Sequence, residues 1–254
     1  VSGEKAWSTG VTMVDINADG FLDIYVCNSG DIAGDNKQNE LFINNGNLTF
    51  TESAGKFNLD DKGYSTHANF FDYDKDGDLD VYLLNNSYQS IGSFNLTKNE
   101  RPKRDILGGD KLMENRNGKF FDVSQKANIY GSVIGFGLGV TVGDVNNDNW
   151  EDIFVCNDFF ERDYLYINQR DGSFKEDLTS QMKSISAASM GADLADIDNN
   201  GSNLCTLVPR DCGNFAVIDL GQSAVTNDSW QYAGDTTDAD NLDENCDLDA
   251  AGAL

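Results

Sequence analysis

A chain of 254 residues with 43 acidic against 18 basic side chains carries a formal net charge of −25, which excludes nucleic acid or an anionic membrane surface as its partner. Apolar residues make up 39%, with 25 Gly, 15 Phe and 9 Tyr, a balance that fits a β-rich globular protein of one or two domains. No run reaches the ~20 apolar residues of a membrane-spanning helix. Residues 1–5 lack the apolar core of a signal peptide, so a secreted form is expected to be a mature chain or a fragment.

In chain order, a short β-branched run over 10–14 predicts a strand, the acidic nonapeptide DINADGFLD (Asp15 to Asp23) a loop, and 23–27 a second strand. The unit returns as 67–71, DYDKDGDLD (Asp72 to Asp80) and 80–84, then as 139–143, DVNNDNWED (Asp144 to Asp152) and 152–156. A fourth nonapeptide, DIDNNGSNL, offers Asp196, Asp198 and Asn200 but has Leu204 where the others end in Asp, so its site is expected to be weak. Each full copy places oxygen-bearing side chains at positions 1, 3, 5 and 9 and a Gly or Asn at position 6. Hard oxygen donors at alternate positions around a residue that tolerates a sharp turn suit a calcium ion. The position-7 carbonyls of Phe21, Asp78 and Trp150 would complete the shell. An EF-hand needs flanking helices and a Glu at position 12, where Val26, Leu83 and Val155 stand instead, so these loops are expected to join strands.

A second signature follows each loop: LFINNGNLTF from Leu41, LMENRNGKFF from Leu112 and LYINQRDGSF from Leu165. Each reads as strand, Asn-Gly or Asp-Gly turn, strand: a β-hairpin. From hairpin Leu to the next loop Asp the spacing is 31 (41 to 72), 32 (112 to 144) and 31 (165 to 196); from loop Asp to hairpin Leu it is 26, 40 and 21. One connection is fixed in size and the other grows freely, as in a repeat that packs on its neighbour by one edge and turns a loop to solvent. The expected architecture is all-β, a propeller-like array of four-stranded blades with calcium loops between first and second strands. Blades are placed near 7–54, 66–124 and 137–178, with a degenerate fourth starting at 189. Residues 1–200 form the repeat module. Residues 201–254 read as a divergent segment whose acidic tail has a composition suited to disorder.

The stretch WSTGVTMVDINADGFLDIYVCN followed by ELFINNGNLTF resembles the FG-GAP or VCBS-type repeats of bacterial surface proteins and integrin α-subunit propellers. The resemblance implies that Asp15, Asn17, Asp19 and Asp23 are side-chain ligands of one calcium. It implies the same for Asp72, Asp74, Asp76 and Asp80, and for Asp144, Asn146, Asp148 and Asp152. It departs from that family in its blade count, since closed propellers have four to eight blades.

The long connection 86–111 holds Lys98, Arg101, Lys103 and Arg104, a basic cluster in an acidic chain and a candidate contact for an acidic glycan or a neighbouring subunit. His67, the single histidine, aligns with Gly10, Gly139 and Gly191; no catalytic residue is nominated. Cys27 and Cys156 occupy equivalent repeat positions and read as core residues, while Cys205, Cys212 and Cys246 leave room for one unassigned disulfide. Sequons at Asn47, Asn85, Asn95, Asn200 and Asn227 are compatible with a glycoprotein. Together these features suggest a secreted or cell-surface, calcium-stabilised module for adhesion, glycan binding or assembly. The alternatives are a structural subunit of a surface fibre or layer, and an enzyme like the polysaccharide lyases that carry similar propellers.

Overall fold

The computed structural model describes residues 7–29, 38–94, 97–182, 186 and 188–195, and the backbone of three further strands at 204–209, 216–219 and 230–232. Among these residues sixteen strands form four four-stranded sheets, each made of consecutive strands, so the protein is all-β and its sheets succeed one another like propeller blades. The first holds β1 (Ser8–Val14), β2 (Asp23–Asn28), β3 (Glu40–Asn44) and β4 (Phe50–Glu52). The second holds β5 (Ser65–Phe71), β6 (Asp80–Asn85), β7 (Lys111–Asn115) and β8 (Phe120–Asp122). The third holds β9 (Gly137–Gly143), β10 (Asp152–Asn157), β11 (Tyr164–Asn168) and β12 (Phe174–Glu176). The fourth holds β13 (Ser189–Ala195), β14 (Leu204–Pro209), β15 (Ala216–Asp219) and β16 (Trp230–Tyr232). The boundary expected at residue 200 falls between two paired strands of this last sheet, β13 and β14. The chain divides into two compact units, 1–137 with 169–174, and 138–168 with 175–254.

In the first unit, side-chain alternation gives each sheet two distinct faces. The β1–β2 register sets Gly10 opposite Cys27 and Thr12 opposite Tyr25 on what we term the forward face, and Val11 opposite Val26 and Met13 opposite Ile24 on the rear face. In the second sheet Ala68 opposite Leu83 and Phe70 opposite Val81 form the rear face. The forward face of the first sheet packs on the rear face of the second: Val14, Ile16, Tyr25, Cys27 and Leu41 share one core with Ala68, Val81, Leu83, Met113 and Phe120. Tyr25 meets the Phe70 ring edge-on at 5.5 Å, and Phe70 meets Phe120 likewise at 6.4 Å. Each fully buried side chain of this kind contributes about 1.5–3 kcal/mol.

Polar bonds register the two first strands. A bulge at Thr9 turns its hydroxyl to the Ser65 carbonyl, 2.6 Å away, and Thr12 donates to the Ala68 carbonyl at 2.7 Å. The approach leaves no room at Gly10, where a Cβ would collide with the Thr66 carbonyl. The second unit repeats the device. Phe154, Cys156 and Leu165 form a core against which Ala192 and Leu194 of β13 pack. A Cβ on Gly139 would lie 2.9 Å from the Gly191 Cα.

Candidate metal centres

Each acidic nonapeptide lies between the first and second strands of its sheet, and three of them are drawn together by the same set of hydrogen bonds. In the second loop the Asp76 N–H donates to Asp72 Oδ1 (3.1 Å) and Asp74 Oδ1 (3.3 Å), the Gly77 N–H to Asp72 Oδ2 (3.1 Å) and the Asp78 N–H to Asp76 Oδ1 (3.1 Å). The first loop repeats this with Asp15, Asn17 and Asp19 accepting from the N–H groups of Asp19, Gly20 and Phe21 at 2.8–3.1 Å. The third does so with Asp144, Asn146 and Asp148 accepting from Asp148, Asn149 and Trp150 at 2.6–3.0 Å. The backbone achieves this by entering the left-handed region twice. Position 6 (Gly20, Gly77, Asn149) has φ of 87°, 95° and 66°, and position 4 (Ala18, Lys75, Asn147) has φ of 56°, 60° and 58°. Position 6 was legible as Gly or Asn; position 4 was not, because Ala and Lys adopt this conformation only under constraint.

The position-9 acids Asp23, Asp80 and Asp152 are buried and tie each loop to its hairpin. One oxygen accepts the position-2 N–H (Ile16, Tyr73 or Val145, 3.1–3.3 Å). The other accepts the N–H of the hairpin asparagine (Asn44, Asn115 or Asn168, 2.7–2.8 Å). That asparagine in turn donates its amide to the position-8 carbonyl of Leu22, Leu79 or Glu151. Sequence reading missed these three residues, although an Asn three places after each hairpin Leu was the available signal.

Among the described residues Asp72, Asp74 and Asp80 each bring a carboxylate oxygen within 4.8 Å of the others. In the first and third loops position 3 is Asn, so fewer acids converge there. Burial, opposed by the Asn115 and Tyr73 N–H groups and reinforced by Asp74 and Asp78, pushes Asp80 up to about 8. Burial likewise raises Asp152 to about 7 and shifts Asp23 upward, with the acids at positions 5 and 1 adding to it. Asp74 and Asp78 are raised by burial and by the neighbouring carboxylates. Asp78 Oδ1 is buried with no hydrogen-bond partner among the described residues. Crowded, partly desolvated carboxylates holding surplus acceptor oxygens fit a hard divalent cation, which would relieve their mutual repulsion. An all-oxygen donor set suits Ca²⁺ over Zn²⁺. The fourth-loop residues Asp196, Asp198 and Asn200 lie outside the described residues, as do Cys212, Cys246 and the side chain of Cys205.

The basic connection is a partial correction. Lys98 is exposed and Lys103 pairs with Glu100, but Arg104 is turned inward. Its half-buried guanidinium donates to the carbonyls of Ile129 (2.9 Å) and Asp110 (2.8 Å), bracing the connection. Arg104, Arg116 and Lys126 line, with Asp122, Val123 and Gln125, an open groove of about 600 Å³. Its other cations lie outside the 86–111 cluster, so sequence proximity could not reveal them. His67 sits on β5 at the glycine position; burial lowers its pKa, and its Nδ1 has no hydrogen-bond partner among the described residues. Cys27 and Cys156 are buried, as their repeat position required. The sequon asparagine Asn47 is exposed in the β3–β4 turn and Asn85 is buried in β6, while Asn95, Asn200 and Asn227 lie outside the described residues.

A family model described as an FG-GAP-like repeat matches residues 15–83 and 144–203. No curated protein matches the chain. Among solved structures, one described as the structural basis of specific recognition of non-reducing terminal N-acetylglucosamine by an Agrocybe aegerita lectin is 15% identical, with 84% of this chain and 50% of that chain covered at a TM-score of 0.45. This chain spans about half the length of that protein.

Proposed function

Because this chain belongs to the FG-GAP-like repeat family, we propose that it is a calcium-stabilised, non-enzymatic binding module of the cell exterior. The observation that carries the reading is the threefold recurrence of one loop geometry, whose position-9 carboxylates are buried and shifted upward from their ordinary range. Asp15, Asn17, Asp19 and Asp23 would hold one ion, Asp72, Asp74, Asp76 and Asp80 a second, and Asp144, Asn146, Asp148 and Asp152 a third, with the backbone of Phe21, Asp78 and Trp150 completing each shell. A cation there couples loop closure to hairpin docking through Asn44, Asn115 and Asn168, so binding energy becomes folding energy.

Extracellular sites bind calcium with dissociation constants near the ambient concentration, which gives about 0.4–1.4 kcal/mol per site. Three sites then raise the melting temperature by roughly 3 to 15 °C for a chain of this size. A melt in calcium against one in a chelator measures this directly. Identical curves would defeat the proposal.

A second reading concerns the ligand. The groove of Arg104, Arg116 and Lys126 is a local concentration of cations in a chain of net charge −25, which favours an anionic glycan as its occupant. Titration with a uronate-containing oligosaccharide should show salt-sensitive binding that Lys126→Glu abolishes. Binding unchanged by that substitution would place the ligand elsewhere.

A further inference from the structure

The second sheet departs from the first and third at one pair of positions. At position 2 of the loop and two places after the hairpin Leu, the first sheet has Ile16 and Ile43, which share one core. The third has Val145 and Ile167 there, which share another. The second has Tyr73 and Glu114, and the buried Tyr73 donates its hydroxyl to Glu114 Oε2 at 3.1 Å. Polar groups placed where isoleucine packs gain nothing for the core. What they gain is a connection.

The pair is bonded at both ends. The Tyr73 N–H donates to Asp80 Oδ2 (3.3 Å), and Asp80 Oδ1 accepts the N–H of Asn115, the residue after Glu114 (2.7 Å). Glu114 Oε1 accepts from Arg116 Nε at 2.5 Å. The Arg116 guanidinium lies over the Phe121 ring, 5.2 Å from its centroid, and lines the groove with Arg104 and Lys126. A continuous run of hydrogen bonds thus leads from a candidate calcium ligand to a cation of the candidate anion groove. Glu114 is pulled both ways along it. The bond from Arg116 holds its carboxyl below the ordinary range, with Tyr73 and Lys126 adding to the effect. On the other side Glu114 adds its charge to the burial and the loop acids that raise Asp74 and Asp78. The second loop is also the most acidic, with five acids from Asp72 to Asp80 against three in the first loop and four in the third.

We propose that a calcium ion in the second loop and an anionic sugar in the groove bind cooperatively, with Glu114 as the element they share. Without the cation, the loop carboxylates repel Glu114 toward Arg116, which is then partly neutralised and a poorer partner for an anion. A divalent cation turns that repulsion into attraction, Glu114 leans to the loop, and the Arg116 guanidinium is freed for the groove. Each ligand favours the same position of Glu114, so each must tighten the other by the same factor, typically about 5- to 150-fold. Ile43 and Ile167 carry no charge, so ions in the first and third loops take no part. The proposal rests on the calcium and groove readings above and adds their coupling, which is measured separately from either.

The test is isothermal titration of the full chain with a uronate trisaccharide, in calcium and in chelator, at a temperature where the protein is folded in both. The trisaccharide should bind about fivefold or more weakly in chelator, and at saturation it should tighten one calcium step by the same factor and leave the others. Two variants remove the coupling in different ways. Tyr73→Ile with Glu114→Ile installs the pair of the first sheet, and Glu114→Gln keeps the shape without the charge, so one serves if the other disturbs the fold. Each should still take up calcium and bind the trisaccharide equally in calcium and in chelator. A parent that takes up calcium yet binds the sugar equally in both conditions overturns the coupling alone. Calcium dependence that survives both variants also overturns it, because the ion would then bridge to the sugar directly. A parent that takes up no calcium overturns it together with the calcium reading, and one that binds no trisaccharide overturns it together with the groove.

Discussion

Replacing Asp110 by asparagine should stabilise the protein above neutral pH and leave it nearly unchanged in mild acid. Asp110 precedes the second hairpin and is fully enclosed. Its Oδ2 accepts the Tyr82 hydroxyl at 2.9 Å and its Oδ1 the Asn85 N–H at 2.9 Å. In the first sheet the equivalent residue is Asn39, which accepts the Asn28 N–H at 2.8 Å and donates to the Tyr25 hydroxyl at 3.0 Å, so the amide fits the same pocket. Burial pushes Asp110 from its ordinary 3.8 up to about 7, in spite of those two bonds and the Arg104 charge. Between these values the native state keeps a proton that the unfolded chain has lost. Stability from this group therefore falls as pH rises through that window and levels off above it. The span corresponds to about 4 kcal/mol, an upper bound because the lost attraction to Arg104 and relaxation of the pocket reduce it. Urea unfolding in calcium, run on parent and Asp110→Asn at pH 8 and near pH 4, isolates the group from other titrating acids. The expected gain is about 1 to 4 kcal/mol at pH 8 and close to nothing at pH 4. A loss of equal size at both values would show that the ionised carboxylate is useful in the fold, and the reasoning would fail.

Further outcomes follow from the same geometry. Gly10→Ala should destabilise by about 1–3 kcal/mol, since its methyl must displace the Thr66 carbonyl, whereas Gly191→Ala should be neutral in the same denaturant titration. Asn115→Ala removes the amide bond to Leu79 and the acceptor for the Gly118 N–H (2.8 Å), costing about 1–2 kcal/mol. On the calcium reading it also weakens one site of three, visible as one altered step in isothermal titration. Cys27 is buried and its thiol is held far above its ordinary pKa, so iodoacetamide should modify it only after unfolding, as peptide mapping would report.

The acidic loops were legible because the donors repeat at fixed offsets and the turn residue is chemically distinctive. The residues that position them were not. Asn44, Asn115 and Asn168 look like ordinary hairpin asparagines, and only the fold reveals that each closes a loop 16 to 35 residues earlier through Asp23, Asp80 or Asp152. Asn39, Asp110 and Asp163 escaped notice for a similar reason: their shared task, accepting the N–H that ends the second strand, is a backbone function invisible to side-chain pattern. Arg104 read as a free cation because sequence counts charge without seeing the carbonyls that absorb it. The strands of the fourth sheet beyond residue 203 carry apolar runs but neither signature, so nothing in the repeat pattern pointed to their pairing.

The sheets taper. In each of the first three, the opening strand has seven residues and the closing strand three. Both are edge strands with a single partner in their sheet, but the long one is also clamped to a neighbouring sheet through Thr9, Thr12 or Thr66. Deuterium should therefore enter each sheet from its narrow side, with amides of β4 and β8 exchanging well before those of β1, β5 and β6. Length variation falls elsewhere, in the connection between second and third strands, so this architecture separates the margin that opens first from the place where it can grow.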